Sequence, residues 1–108
     1  MTWTMTVNGP YDMVRERVQL IKRLDVGVEI YFHNGIDEIG ERDVKELGKV
    51  LRGEGIVCTV HAPFMDLSPG GLDKGVRAVT KDKLKRSVTF ANLLGSLGVV
   101  CHPGYDKW

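Results

Sequence analysis

The chain has 108 residues, 43% hydrophobic and 27% charged, a balance that supports one packed domain and excludes both a disordered chain and a membrane-embedded one. No apolar run approaches the ~20 residues needed to cross a bilayer. The opening Met1-Thr2-Trp3-Thr4-Met5-Thr6 lacks a basic start and a small-residue cleavage site, so a cytoplasmic location is expected. Fifteen basic against fourteen acidic residues leave a net charge of +1, which removes the electrostatic case for non-specific nucleic-acid binding.

In chain order, residues 3–8 alternate large apolar with polar side chains and predict a first strand closed by Gly9-Pro10. A helix follows, with Asp12 as N-cap and Val14, Val18, Ile21 and Leu24 along one face. Residues 26–32 read as a second strand, after which His33-Asn34-Gly35 turns away on the surface. The second helix is expected over 37–52, burying Val44, Leu47, Val50 and Leu51 and stopped by Gly53-Glu54-Gly55. Residues 56–61 form a third, β-branched strand.

The segment 65–75, with Ser68-Pro69-Gly70-Gly71, is long for a connection and reads equally as a cover over the strand ends or as a surface excursion. Residues 76–97 hold one long helix or two short ones, turning Leu84, Val88, Ala91 and either Leu93 or Leu94 inward. Within them Lys81-Asp82-Lys83-Leu84-Lys85-Arg86 reads as a solvated face. Gly98 leads into a fourth strand, Val99 to His102.

Strand–helix alternation of this kind makes βαβ units on a parallel sheet. Four such strands with helices on one side are half of a (β/α)8 barrel, whose usual length is ~250 residues. The expectation is therefore an α/β half barrel spanning residues 1–108, either a fragment or a piece that self-associates through its open sheet edges.

The third and fourth strands share a plan: an apolar run ends in histidine and is cut off by proline, in Val60-His61-Ala62-Pro63 and Cys101-His102-Pro103. Parity turns Val57, Thr59 and His61 one way, and Val100 and His102 likewise. Neighbouring parallel strands ~4.8 Å apart then bring the two imidazoles close enough to share a metal or one substrate. The alternative is that each ring caps its own strand end. Cys58 and Cys101 have the opposite parity and read as small buried hydrophobes beneath the helices.

Glu29 sits mid-strand among apolar residues, alternating onto one face with Tyr31 and His33. It suits a hydrogen bond to a neighbouring ligand or a sugar hydroxyl; a buried salt bridge is the other reading. Asp66 reads as a cap, and the Gly53/Gly55 and Gly70-Gly71 pairs as turns rather than phosphate loops.

His61-Ala-Pro-Phe-Met-Asp-Leu-Ser-Pro-Gly-Gly, the helix after it, and Val99-Val100-Cys101-His102-Pro103-Gly104 together resemble the xylose isomerase-like TIM-barrel superfamily. Val28-Glu29-Ile30-Tyr31 resembles the glutamate-bearing second strand of the same proteins. The resemblance runs along the whole chain but covers only the first half of that barrel.

It implies a divalent metal (zinc, manganese or cobalt) in the complete protein, with His61 and His102 as metal ligands in the endonuclease IV branch. In the sugar isomerase/epimerase branch the metal is held mainly by carboxylates and a histidine from later strands, and the same two positions line the substrate pocket instead, with Glu29 beside them. The Phe and Ser-Pro-Gly-Gly after His61 look more like the isomerase/epimerase branch. The expectation is then the N-terminal portion of a metal-dependent sugar or sugar phosphate isomerase/epimerase, inactive alone. A zinc phosphodiesterase acting on abasic DNA and a non-catalytic, self-associating half barrel are the alternatives. A small sugar or sugar phosphate is the expected partner, with no membrane or nucleic acid.

Overall fold

Four parallel strands form one sheet in chain order: β1 (Thr6–Pro10), β2 (Gly27–Tyr31), β3 (Cys58–His61) and β4 (Val99–Val100). These come from a computed structural model that describes residues 5–104. Helices α1 (Tyr11–Glu16) and α2 (Val18–Leu24) connect β1 to β2, and α3 (Glu41–Gly53), preceded by a 3-10 turn over Asn34–Glu38, connects β2 to β3. Helix α4 (Lys74–Leu94) connects β3 to β4. This is the expected α/β half of a TIM barrel.

Period-2 alternation divides the sheet into two faces. Val28 and Ile30 of β2 and Cys58 and Val60 of β3 are buried against Val14, Val18, Ile21, Val44, Leu47, Leu51, Phe90 and Leu94 of the helices. Glu29, Tyr31, Thr59 and His61 occupy the other, half-open face, which corresponds to the inner wall of a barrel. The register places Glu29 beside Thr59, Tyr31 beside His61, and His61 beside Val100.

Several boundaries differ from expectation, each for a local reason. Gly9-Pro10 does not close β1 but completes it, paired with Ile30 and Tyr31. β1 is an edge, where a proline's missing N–H costs no ladder bond. The expected residues Trp3 and Thr4 lie outside the described residues. Pro10, not Asp12, occupies the N-cap position of α1, and the backbone at Arg17 (φ −119°, ψ 24°) divides the expected single helix in two. Val14, Val18 and Ile21 are buried as expected, whereas Leu24 is exposed.

Helix α3 begins after Gly40, because residues 34–38 take up the 3-10 turn. It buries Val44, Leu47 and Leu51 and leaves Val50 exposed. Its stop is the expected one, with Gly55 in the left-handed region at φ 70°.

Helix α4 is one helix capped by Asp73, whose carboxylate accepts the Val76 N–H at 3.0 Å. Its buried stripe is Thr80, Ser87, Phe90, Ala91 and Leu94, so Val88 faces solvent and Leu84 is half-buried. The phase shift has a chemical cause: two hydroxyls sit on the buried stripe with their partners supplied. Thr80 donates to the Val76 carbonyl (2.7 Å) and accepts from the Ser68 N–H (2.9 Å), while Ser87 donates to the Lys83 carbonyl (2.9 Å). An apolar pattern alone passes over such positions.

The Lys81–Arg86 run is only half a solvated face. Lys83 reaches the Asn34 carbonyl at 2.6 Å, and Arg86 donates to the Ile36 and Ile39 carbonyls at 3.1 and 2.7 Å. These bonds tie the 3-10 turn after β2 to α4. Cys58 is buried as expected, but Cys101 is exposed. Its parity is the helix-side one, yet no helix among the described residues lies over the end of β4.

Candidate functional site

The carboxyl ends of β2, β3 and β4 carry the polar side chains of the open face, the end of a parallel α/β sheet where ligands bind. His61 is the last residue of β3, and His102 lies two residues past Val100, its neighbour on β4. Their Nε2 atoms approach to 2.9 Å, with ring centroids 4.9 Å apart at 45°. The structure thus brings the two rings together, His61 from the end of β3 and His102 from two residues past the end of β4, although the sequence pattern predicts it as that strand's last residue.

A bond between two neutral imidazole Nε2 atoms requires one donor and one acceptor, so the rings hold complementary tautomers. Glu29 decides which. Its Oε2 stands 3.6 Å from Nδ1 of His61, and both side chains are about one-fifth exposed (21% and 20%). The carboxylate favours the proton on Nδ1, so Nε2 of His61 accepts and Nε2 of His102 donates. Glu29 therefore orients His61 from the far side of the ring rather than sharing the space in front of both Nε2 atoms.

Phe64 closes the arrangement. Its ring lies against His102 at 4.2 Å with planes 11° apart, and 5.6 Å from His61 at 56°. Pro63 ends the β3 pairing and a turn from Phe64 to Leu67 (3.2 Å) follows, with Asp66 in the left-handed region at φ 60°. Asp66 serves that turn through its backbone.

The segment 65–75, open between a cover and a surface excursion in sequence, is anchored at three places. Asn34 donates to the Met65 carbonyl (2.7 Å), and Thr80 accepts from Ser68. Arg77 donates to the carbonyls of Gly71 (2.6 Å) and Leu72 (2.9 Å).

A pocket of about 400 Å³ opens beside this cluster between Tyr31, His33, Asn34, His61, Phe64 and Met65. His33 is exposed, its ring edge-on to Tyr31 at 5.2 Å. A larger groove of about 810 Å³ follows the solvent side of α4 past Leu84 and Val88. Arg77, Lys81, Lys85 and Thr89 line it beside them, with no carboxylate or imidazole among the lining residues, whereas the smaller pocket has the histidines.

Among the described residues no group of three or more His, Cys, Asp or Glu is gathered to hold a metal ion. The donor set in hand is two imidazoles with a carboxylate behind one of them, which fits part of a site for zinc, manganese or cobalt. Phe64 and Asn34 are the contributors that sequence reasoning passed over. Pro63 was the available signal, since a chain turned back directly after His61 returns its next side chain toward that histidine.

Comparison with known proteins agrees with this geometry. The profile of the xylose isomerase-like TIM barrel family matches residues 19–108. The uncharacterized protein MJ1311 of Methanocaldococcus jannaschii is 32% identical over 71 residues, which are 66% of this chain and 24% of that protein. The TTHB071 protein of Thermus thermophilus, in a structure from soaking with ZnCl2, superimposes with a TM-score of 0.83 at 23% identity, over 96% of this chain and 41% of that one. D-psicose 3-epimerase, in a structure obtained in the presence of D-fructose, superimposes with a TM-score of 0.71 at 15% identity, over 92% and 37%. The chain thus spans well under half the length of these relatives. With its parallel half-barrel sheet and a family match over most of its residues, the chain belongs to the xylose isomerase-like TIM barrel family.

Proposed function

We propose that this chain forms part of the pocket of a metal-dependent sugar or sugar phosphate isomerase/epimerase, in which His61 and His102 line the pocket, as the resemblance implies for that branch, and also take the ligand role that it implies for the endonuclease IV branch, as two of the ligands of a divalent cation. The observation that carries the reading is the 2.9 Å approach of the two Nε2 atoms at the mouth of the half barrel. Similarity of fold to an epimerase and to a protein soaked with ZnCl2 supports it. A net charge of +1 supplies no overall attraction for a nucleic-acid backbone, which weighs mildly against the phosphodiesterase reading.

When bound, the cation polarises the oxygens of a carbonyl or hydroxyl group. The rest falls to side chains. Glu29, with its carboxylate 3.6 Å from Nδ1 of His61, favours the proton on that nitrogen and so keeps the ring's Nε2 lone pair forward. The proton on His102 Nε2 would have to move to Nδ1 of the same ring before both lone pairs could serve as ligands, so holding a cation would require a change of tautomer at His102 and no net loss of a proton. Tyr31 and Phe64 wall the pocket and Asn34 fixes its rim, while Glu29 stays behind His61 as its orienting carboxylate. The carboxylate bases that move a proton between carbons belong, in this reading, to barrel strands outside the 108 residues. The chain alone is then a binding half without turnover.

Titration with Co2+, followed by visible absorption, tests the ligand pair. Binding is expected for the wild type, with H61A and H102A each weakening it at least about tenfold. A wild-type chain that takes up neither Co2+ nor Zn2+ refutes the ligand assignment. An intact parent barrel loaded with Mn2+ or Co2+ that leaves a panel of ketoses and their phosphates unchanged refutes the activity.

A further inference from the structure

β4 pairs through only two residues, and the last bond from β3 runs from the Ala62 N–H to the Val100 carbonyl at 3.0 Å. His102 thus lies beyond the ladder, between exposed Cys101 and exposed Pro103. Its ring nevertheless stacks nearly parallel to that of Phe64 and directs Nε2 at His61.

Phe64, in contrast, is mounted on braced backbone. Its carbonyl accepts from Leu67, the next carbonyl accepts from Asn34, and Ser68 is tied to buried Thr80. Its flank is buried Ala62-Pro63. A fixed aromatic plate on one face of an imidazole restricts rotation of that ring out of plane and leaves the nitrogens at its edge able to act.

We infer that Phe64 is a positioning residue for His102: the stack fixes the plane of the imidazole so that its Nε2 is held against that of His61. The inference rests on the metal-pocket reading for its consequence, the affinity for a cation. The ring geometry itself is a property of the metal-free protein. An aliphatic side chain of similar volume fills the same space without presenting a plane, so packing and positioning are separable by substitution.

The experiment compares wild type with F64L, F64M and F64Y by long-range 1H–15N spectra of the histidine rings in metal-free protein, and by Co2+ titration. Wild type is expected to show two fixed, complementary tautomers for His61 and His102. In F64L and F64M the His102 ring is expected to average between tautomers while Glu29 keeps that of His61, with Co2+ affinity lowered about tenfold. F64Y restores both readouts. Amide spectra identify any variant that fails to fold, and the second aliphatic variant then supplies the comparison. Fixed, wild-type tautomers in a folded aliphatic variant overturn the inference, as does averaging in F64Y. A wild type that binds no cation sinks the metal reading alone, and the tautomers then decide the role of Phe64.

Discussion

Cys58 lies on the helix side of β3, 3% exposed, with its thiol directed at the Leu94 carbonyl at 3.9 Å, whereas Cys101 is open to solvent. Burial pushes the Cys58 thiol above its ordinary value of 9.0, against a smaller opposing pull from Arg52. Burial likewise raises Tyr11, whose hydroxyl is buried without a hydrogen-bond partner among the described residues. Both groups hold their protons to higher pH in the folded chain than in the unfolded one. Their contribution to stability is complete below the ordinary values and is lost as pH rises through 9.0 toward the folded values. Urea unfolding is therefore expected to show a falling midpoint from pH 8 to pH 10, and iodoacetamide to label Cys101 well before Cys58 in the native chain. Equal labelling rates, or a flat alkaline limb, would contradict the burial argument. Strand parity assigned both cysteines to the helix side. That settles a side chain's direction and not its cover, which is why Cys58 was legible in the sequence and the exposure of Cys101 was not.

Helices α3 and α4 cross where α3 has no side chain. A Cβ on Gly48 would lie 2.3 Å from the Leu93 carbonyl oxygen and 3.0 Å from the Leu94 Cα, both backbone and unable to swing away. G48A should therefore destabilise the chain by about 1–3 kcal/mol through overpacking. At Gly53, the last residue of the same helix, a Cβ meets nothing within 4 Å, so G53A should be neutral or gain up to about 1 kcal/mol from helix propensity. Chemical denaturation of the two variants side by side checks this; equal midpoints would show that the helices can separate without cost.

The same crossing marks what sequence could reveal of the elements. β2 and β3 were plain from β-branched runs, and the histidine pair from two strands each stopped by proline. The phase of α4 was hidden because Thr80 and Ser87 are buried polar residues satisfied by partners distant or internal to the helix. Phe64 over His102 and Asn34 against Met65 were hidden for a related reason: each joins residues that meet only once the sheet has formed.

At the scale of the whole molecule, the sheet has two edges, β1 and β4, each with one strand neighbour among the described residues. Next to β1, Val7, Met13, Leu20 and Leu24 leave an apolar surface exposed; on the opposite flank, Val79 and Val88 of α4 do the same. Edges of this kind are templates for further pairing, and exposed apolar surface beside them adds a driving force that does not depend on charge. A closed barrel abolishes both features, and eight parallel strands close one. The 108-residue chain on its own is therefore expected to self-associate, β4 of one copy finding β1 of another. Static light scattering should give a mass above 12.0 kDa that rises with concentration and persists at high salt, where pairing driven by surface charge would weaken. V7K, a charge set on the β1 edge flank, should shift the distribution toward monomer, as charged edge residues do in natural sheets. A monodisperse 12.0 kDa species across the concentration range would mean that these edges are inert in solution, and the reading of the chain as a half seeking its complement would lose its physical basis.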